Sequence, residues 1–246
     1  MKKLTIIAAL ASCVLSSAAW SGEYTIGVEG VDNLPIAKGE GSNYTGYARE
    51  LLDAFAAKYG HKFNYSPMPV ARLMDEFVVK KSLDFKYPDN PHWAGDLKKG
   101  TKISYSASTV LVIDGLFVKP ANKGKGLDSI KTISAQRGFT PFPYLGEINA
   151  KKIKVDEANS MDAAIKMADA GRVDGVFMGQ VVANYLMNEV MKKPGMLVFD
   201  DKLPSEKSDY SLATIKHADV IKQFDEFLTK EKDAITKLKA KHKVVE

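Results

Sequence analysis

Residues 47–65 read YARELLDAFAAKYGHKFNY, and their periodicity decides the fold. Ala48, Leu51, Leu52, Phe55 and Tyr59 recur at helical spacing and share one apolar face, which Gly60 closes as a C-terminal cap. A strand is expected on either side, over residues 24–28 and 62–65. Strand, helix and strand of this size build a parallel sheet with right-handed crossovers. Outward from this unit, a helix over residues 72–80 runs into a strand over 83–85.

The pattern returns in the second half. Strands are expected at 133–136, 153–155, 173–178 and 197–199. Ser160 is placed to cap a helix with the face Met161, Ala164, Ile165 and Ala168, ended by Gly171. Val182, Tyr185, Leu186 and Val190 mark another helix. The two halves share a phrase, KSLDF at 81–85 and GRVDG at 171–175: helix, tight turn, Asp, strand. This weak internal repeat points to two lobes of one α/β kind. The β-branched run 109–118 leaves the first lobe, and residues 211–215 are again β-like, followed by helices with Ile221, Phe224 and Leu228 on one face. Two crossings make a hinge, and a hinge makes a cleft. The expected boundaries are a leader over 1–21, lobe one over 22–111, lobe two over 112–208, and a return to lobe one over 209–246.

The leader reading rests on Lys2 and Lys3, a short apolar stretch over residues 4–15 and small residues at Ala19 and Ser21. Leu10-Ala11-Ser12-Cys13 also fits a lipid-attachment box, but the apolar stretch continues past Cys13, so free secretion into a bacterial periplasm is expected. Cys13 is the sole cysteine, which leaves core burial as the source of stability. The formal charge of +5 resides largely in mixed-charge helix faces, and no basic patch with interleaved aromatics speaks for nucleic acid.

The order and spacing of several phrases resemble the family 3 extracellular solute-binding proteins, the type II periplasmic clamps of polar amino-acid uptake. The phrases are TGYARELL at 45–52, LDF at 83–85, ISYS at 103–106 and AGRVDGV at 170–176. The resemblance implies two Rossmann-like lobes joined by a two-strand hinge. It further implies capture of a small polar or carboxylate-bearing molecule for an ABC-type permease. Two departures matter. Where the family carries Thr-Pro-Glu-Arg for a ligand carboxylate, residues 90–93 are NPHW; where it carries Asp for the amino group, this chain has Gly179 and then Gln180.

Ligands of open α/β sheets sit beyond the carboxyl ends of the strands, which nominates loops. Glu29 is a candidate acceptor for a ligand cation or hydroxyl, or an ordinary solvated carboxylate. Tyr44 walls the cleft or staples the first helix. Arg72, behind two prolines, is placed to fork a carboxylate, or to pair on the surface. Lys86, Tyr87 and Trp93 lie in the least usual segment, whose aromatic faces suit a planar or cationic ligand; Trp93 has the alternative of a core anchor. Arg137, Phe139 and Thr140 flank Gly138 in a candidate anion-binding turn, the alternative being a turn that needs glycine for its backbone. Gln180 donates and accepts in place of the missing Asp, or caps a helix. Arg72→Ala and Arg137→Ala are accordingly expected to weaken binding. No catalytic constellation, metal spacing or cofactor motif is present in the sequence, and a monomer with a small-molecule ligand and a membrane permease or sensor as partners is expected. The alternatives are a periplasmic sensing subunit and a dehydratase-type enzyme on the same fold.

Overall fold

The computed structural model describes residues 21–245; the expected leader with Cys13 lies outside the described residues, Ser21 excepted. The chain begins with β1 (Glu23–Glu29) and a small meander, β2 (Asp32–Asn33), β3 (Ala37–Glu40) and β4 (Asn43–Thr45). It continues through α1 (Tyr47–Tyr59), β5 (Lys62–Met68), and α2 (Val70–Met74), which widens into a π-helical turn over Asp75–Val79. β6 (Phe85–Asp89), α3 (Gly95–Lys98), β7 (Ser104–Tyr105) and β8 (Val110–Val118) follow. The second half holds β9 (Thr132–Gln136), α4 (Leu145–Asn149), β10 (Lys154–Ala158), α5 (Met161–Asp169) and β11 (Gly175–Gly179). Next come α6 (Gln180–Asn184) with its own π turn over Tyr185–Val190, β12 (Val198–Phe199), β13 (Ser205–Thr214), α7 (Ala218–Lys230) and α8 (Lys232–His242).

The main sheet has the order β10-β9-β11-β8-β13-β6-β1-β5. Each end is parallel: β5, β1 and β6 in lobe one, and β10, β9 and β11 in lobe two. β8 and β13 join them and run antiparallel to their neighbours. β13 belongs to both lobes. Its residues 205–210 pair with β8, and from Ser211 onward it pairs with β6, with a register break between Ser211 and Ala213. The lobe boundaries expected at 111/112 and 208/209 fall inside these two strands.

Local sequence explains the main elements. α1 buries Tyr47, Ala48, Leu51, Leu52, Phe55 and Ala56 against the sheet, and Gly60 ends it at φ 75°, where a side chain would be strained. Ser160 caps α5, its Oγ accepting the Ala163 N–H at 3.2 Å. α8 returns to α1 through Lys241 and Glu50 at 2.6 Å. The strand expected over 83–85 starts later than its sequence suggests, at Phe85, because Asp84 is occupied as a bracket: its Oδ2 accepts the Thr25 N–H at 2.9 Å.

Candidate ligand-binding cleft

The carboxyl end of β1 and the loops after β6 and β9 converge on a cavity of about 290 Å³. Lobe one supplies Glu29, Val70, Met74, Lys86, Trp93 and Ala94 to its wall. Lobe two supplies Gly138, Phe139, Thr140, Phe142 and Phe177. The crossing strands supply Asp114, Glu206 and Tyr210. The cavity therefore touches both lobes and both strands that join them.

Lys86 is the basic residue of this wall, and its charge is matched from within the protein. Its Nζ donates to the Pro88 carbonyl at 2.5 Å and to Asp89 Oδ1 at 3.1 Å. Lys98 Nζ donates to the same carboxylate oxygen at 2.9 Å and to the Asn90 carbonyl at 2.7 Å. All three side chains are buried. Lys86 Nζ also lies 5.7 Å from the centroid of the Trp93 ring, and Trp93 meets Tyr210 edge to face at 5.4 Å. Asn90 fixes this loop to the hinge by donating from Nδ2 to the Asp209 carbonyl at 3.0 Å.

The acidic residues are less well matched. Burial raises the Glu29 carboxyl, and Lys86 opposes that rise. Asp114 and Glu206 are direct partners across the β8–β13 ladder. Facing side chains there sit with Cβ atoms roughly 5 Å apart, and like charges so placed repel. Burial, helped by the Glu206 charge, pushes Asp114 up to about 7; burial raises Glu206 as well. Among the described residues no cation offsets either carboxylate. Gly179 stands opposite Asp114 on β11, and a Cβ there would lie 2.7 Å from Val112 Cγ1 and 3.0 Å from Asp114 Oδ1. The glycine leaves the space that the aspartate side chain borders.

Of the residues nominated from sequence, the structure brings Glu29, Lys86, Trp93, Phe139 and Thr140 together in the cavity wall. Arg72 and Arg137 are not part of it. Both are exposed, Arg72 on the outer face of α2 beside Glu76 at 3.8 Å and Arg137 just after β9 beside Glu157 at 3.4 Å. Tyr44, in β4 of the meander, is buried and stacks on Tyr65 at 5.2 Å. Tyr87 is fully buried, its hydroxyl sharing a 2.6 Å hydrogen bond with Thr109 Oγ1. Gln180 opens α6 outside the cavity wall. His92 is exposed, and the described residues hold no cluster of side chains suited to a metal. Asp114, Glu206, Phe142, Phe177 and Tyr210 are the wall residues that sequence reasoning missed. Asp114 had a signal, a lone charge in the apolar run 109–118.

No family model and no curated protein matches the chain. Solved structures do. A binding component assigned to an ABC transporter of Wolinella succinogenes, complexed with lysine, superposes with a TM-score of 0.70 at 19% identity, over 91% of this chain and 97% of its own. The chain has the type II periplasmic binding fold. Other structures with this fold are the GluR0 ligand-binding core with L-glutamate (TM-score 0.68, 15% identity, 89% of this chain and 97% of that one). A third is AncCDT-1, an ancestral amino acid-binding protein and precursor of cyclohexadienyl dehydratase (TM-score 0.66, 18% identity, 90% and 95%). Among the described residues no helix is long and apolar enough to cross a membrane.

Proposed function

We propose that this chain is a periplasmic solute-binding clamp that delivers a small molecule to an ABC-type permease. One observation carries the reading: a single cavity takes its wall from both lobes and from the two strands that join them. A ligand there touches both lobes, so it favours the closed form over the open one, and that difference is what a membrane partner recognises. The moving bodies are residues 22–111 with 209–245, and residues 112–208. Glu29, Lys86, Trp93, Phe139 and Thr140 are the sequence-nominated residues that contact the ligand. Proteins described as ABC-transporter binding components share the fold, which supports the reading.

The test is a thermal-shift screen of ligand-stripped protein against amino acids, organic acids, amines, sugars and nucleosides. A ligand at a hundred times its Kd adds about 2.7 kcal/mol, a shift of several degrees. Of the two tryptophans, Trp20 falls in the expected leader and Trp93 in the cavity wall, so fluorescence of Trp93 reports occupancy directly. A flat response from both readouts, together with no retention on membranes containing the permease, overturns the clamp. A second reading, dehydratase-type chemistry, draws support from Asp114, whose carboxyl near 7 suits a general acid or base. Conversion of the bound compound, followed by mass spectrometry, separates the two.

A further inference from the structure

We infer that the cleft selects an organic cation without a carboxylate, an amine or a quaternary ammonium, and that the hinge carboxylates Asp114 and Glu206 hold its charge. The inference rests on the clamp reading and names the ligand class for that same cavity.

Charge and geometry both point this way. Three acidic side chains reach the cavity, Glu29, Asp114 and Glu206, against one basic side chain, Lys86. Lys86 already serves Asp89 and the Pro88 carbonyl, so it is not free to fork a ligand carboxylate. The two arginines suited to that task, Arg72 and Arg137, stand outside the cavity on other partners. Asp114 and Glu206 face each other across a ladder where like charges repel, with no cation among the described residues to offset them. A ligand cation removes that repulsion. The rest of the wall is rich in aromatic rings, with Trp93, Phe139, Phe142 and Tyr210 available to cover the flanks of a cation whose charge is spread over carbon. A hydrated metal ion gains nothing from such walls.

Matched pairs of compounds test this by titration calorimetry on the whole mature protein: tyramine with tyrosine, putrescine with ornithine, and choline with glycine betaine, plus calcium chloride. At least one amine or ammonium is expected to bind about tenfold or more tighter than its carboxylate-bearing counterpart. Asp114→Asn and Glu206→Gln should each weaken that binding by about tenfold or more, while Arg72→Ala and Arg137→Ala leave it unchanged. Both carboxamide variants relieve a repulsion, so melting curves are expected at or above those of the parent. Tighter binding of the carboxylate-bearing members overturns the inference and leaves the clamp standing. Binding of calcium alone overturns it too, as does amine binding that is indifferent to both carboxamide variants. A blank for every compound overturns the inference, while the clamp is decided separately by the broader thermal-shift screen and membrane retention.

Discussion

Asp114 occupies a costly position. It lies in a strand that is otherwise apolar, faces Glu206 on β13, and has Tyr210 of the same strand as its other titratable neighbour. Its carboxyl titrates from 3.8 in the open chain to about 7 in the fold, so the folded state holds a proton that the unfolded state has lost. Stability contributed by that proton is complete below the lower value and declines as pH rises through the window between them. Asp114→Asn removes the dependence, so its melting temperature should exceed that of the parent by more at pH 8 than at pH 5; equal differences at both would contradict the burial of this carboxylate. Asp89 is also buried, but it is paired with both Lys86 and Lys98. Breaking such an arrangement by removing one partner typically costs about 3–5 kcal/mol. Asp89→Ala should therefore unfold at markedly lower urea, beyond the loss from a surface aspartate such as Asp201. The residue scale was half legible. Trp93 and Lys86 stood out as unusual residues in the segment 86–93, whereas Glu206 sits in a polar run, SEKSD at 205–209, that nothing in its own sequence marks as a strand.

At the scale of elements, the shared phrase of the two halves has a common physical job. Asp84, just before β6, accepts the Thr25 N–H of β1 at 2.9 Å. Asp174, just before β11, accepts the N–H groups of Lys131 and Thr132, at the start of β9, at 2.8 Å each. Each aspartate thus ties the beginning of the later strand to the beginning of the earlier one. Loss of the acceptor leaves strand-end donors without a partner, at about 1–3 kcal/mol. Asp84→Ala and Asp174→Ala are each expected to lower the urea midpoint by that amount, with Asp→Asn restoring part of it. Helices and parallel strands were readable because burial imposes a period on them. β13 was read only from residue 211 onward, since its first half alternates polar and small residues and owes its extended form to the ladder with β8. The meander β2–β4 was missed for the same reason: its strands are two to four residues long and lack an apolar period.

Across the whole molecule, the two lobes share material as well as a boundary. One apolar cluster extends from Ile26 and Phe55 in lobe one to Ile165 and Val176 in lobe two, and β13 is continuous through both halves of the sheet. Urea unfolding is therefore expected as one transition, with Trp93 fluorescence and far-UV circular dichroism coinciding; separated midpoints would show that the lobes unfold independently. The return of the chain to lobe one has a temporal consequence. The four strands β8, β9, β10 and β11 are all present once Gly179 has been made, whereas β6 waits for β13, and Phe55 waits for Phe224, which it meets at 4.9 Å. A polypeptide that emerges amino end first can finish its middle before its beginning. β1, β5 and β6 pair among themselves within the first ninety residues, but their edge at β6 stays uncovered until residues 205–214 arrive as β13, and that interval is when a holding chaperone has most to do.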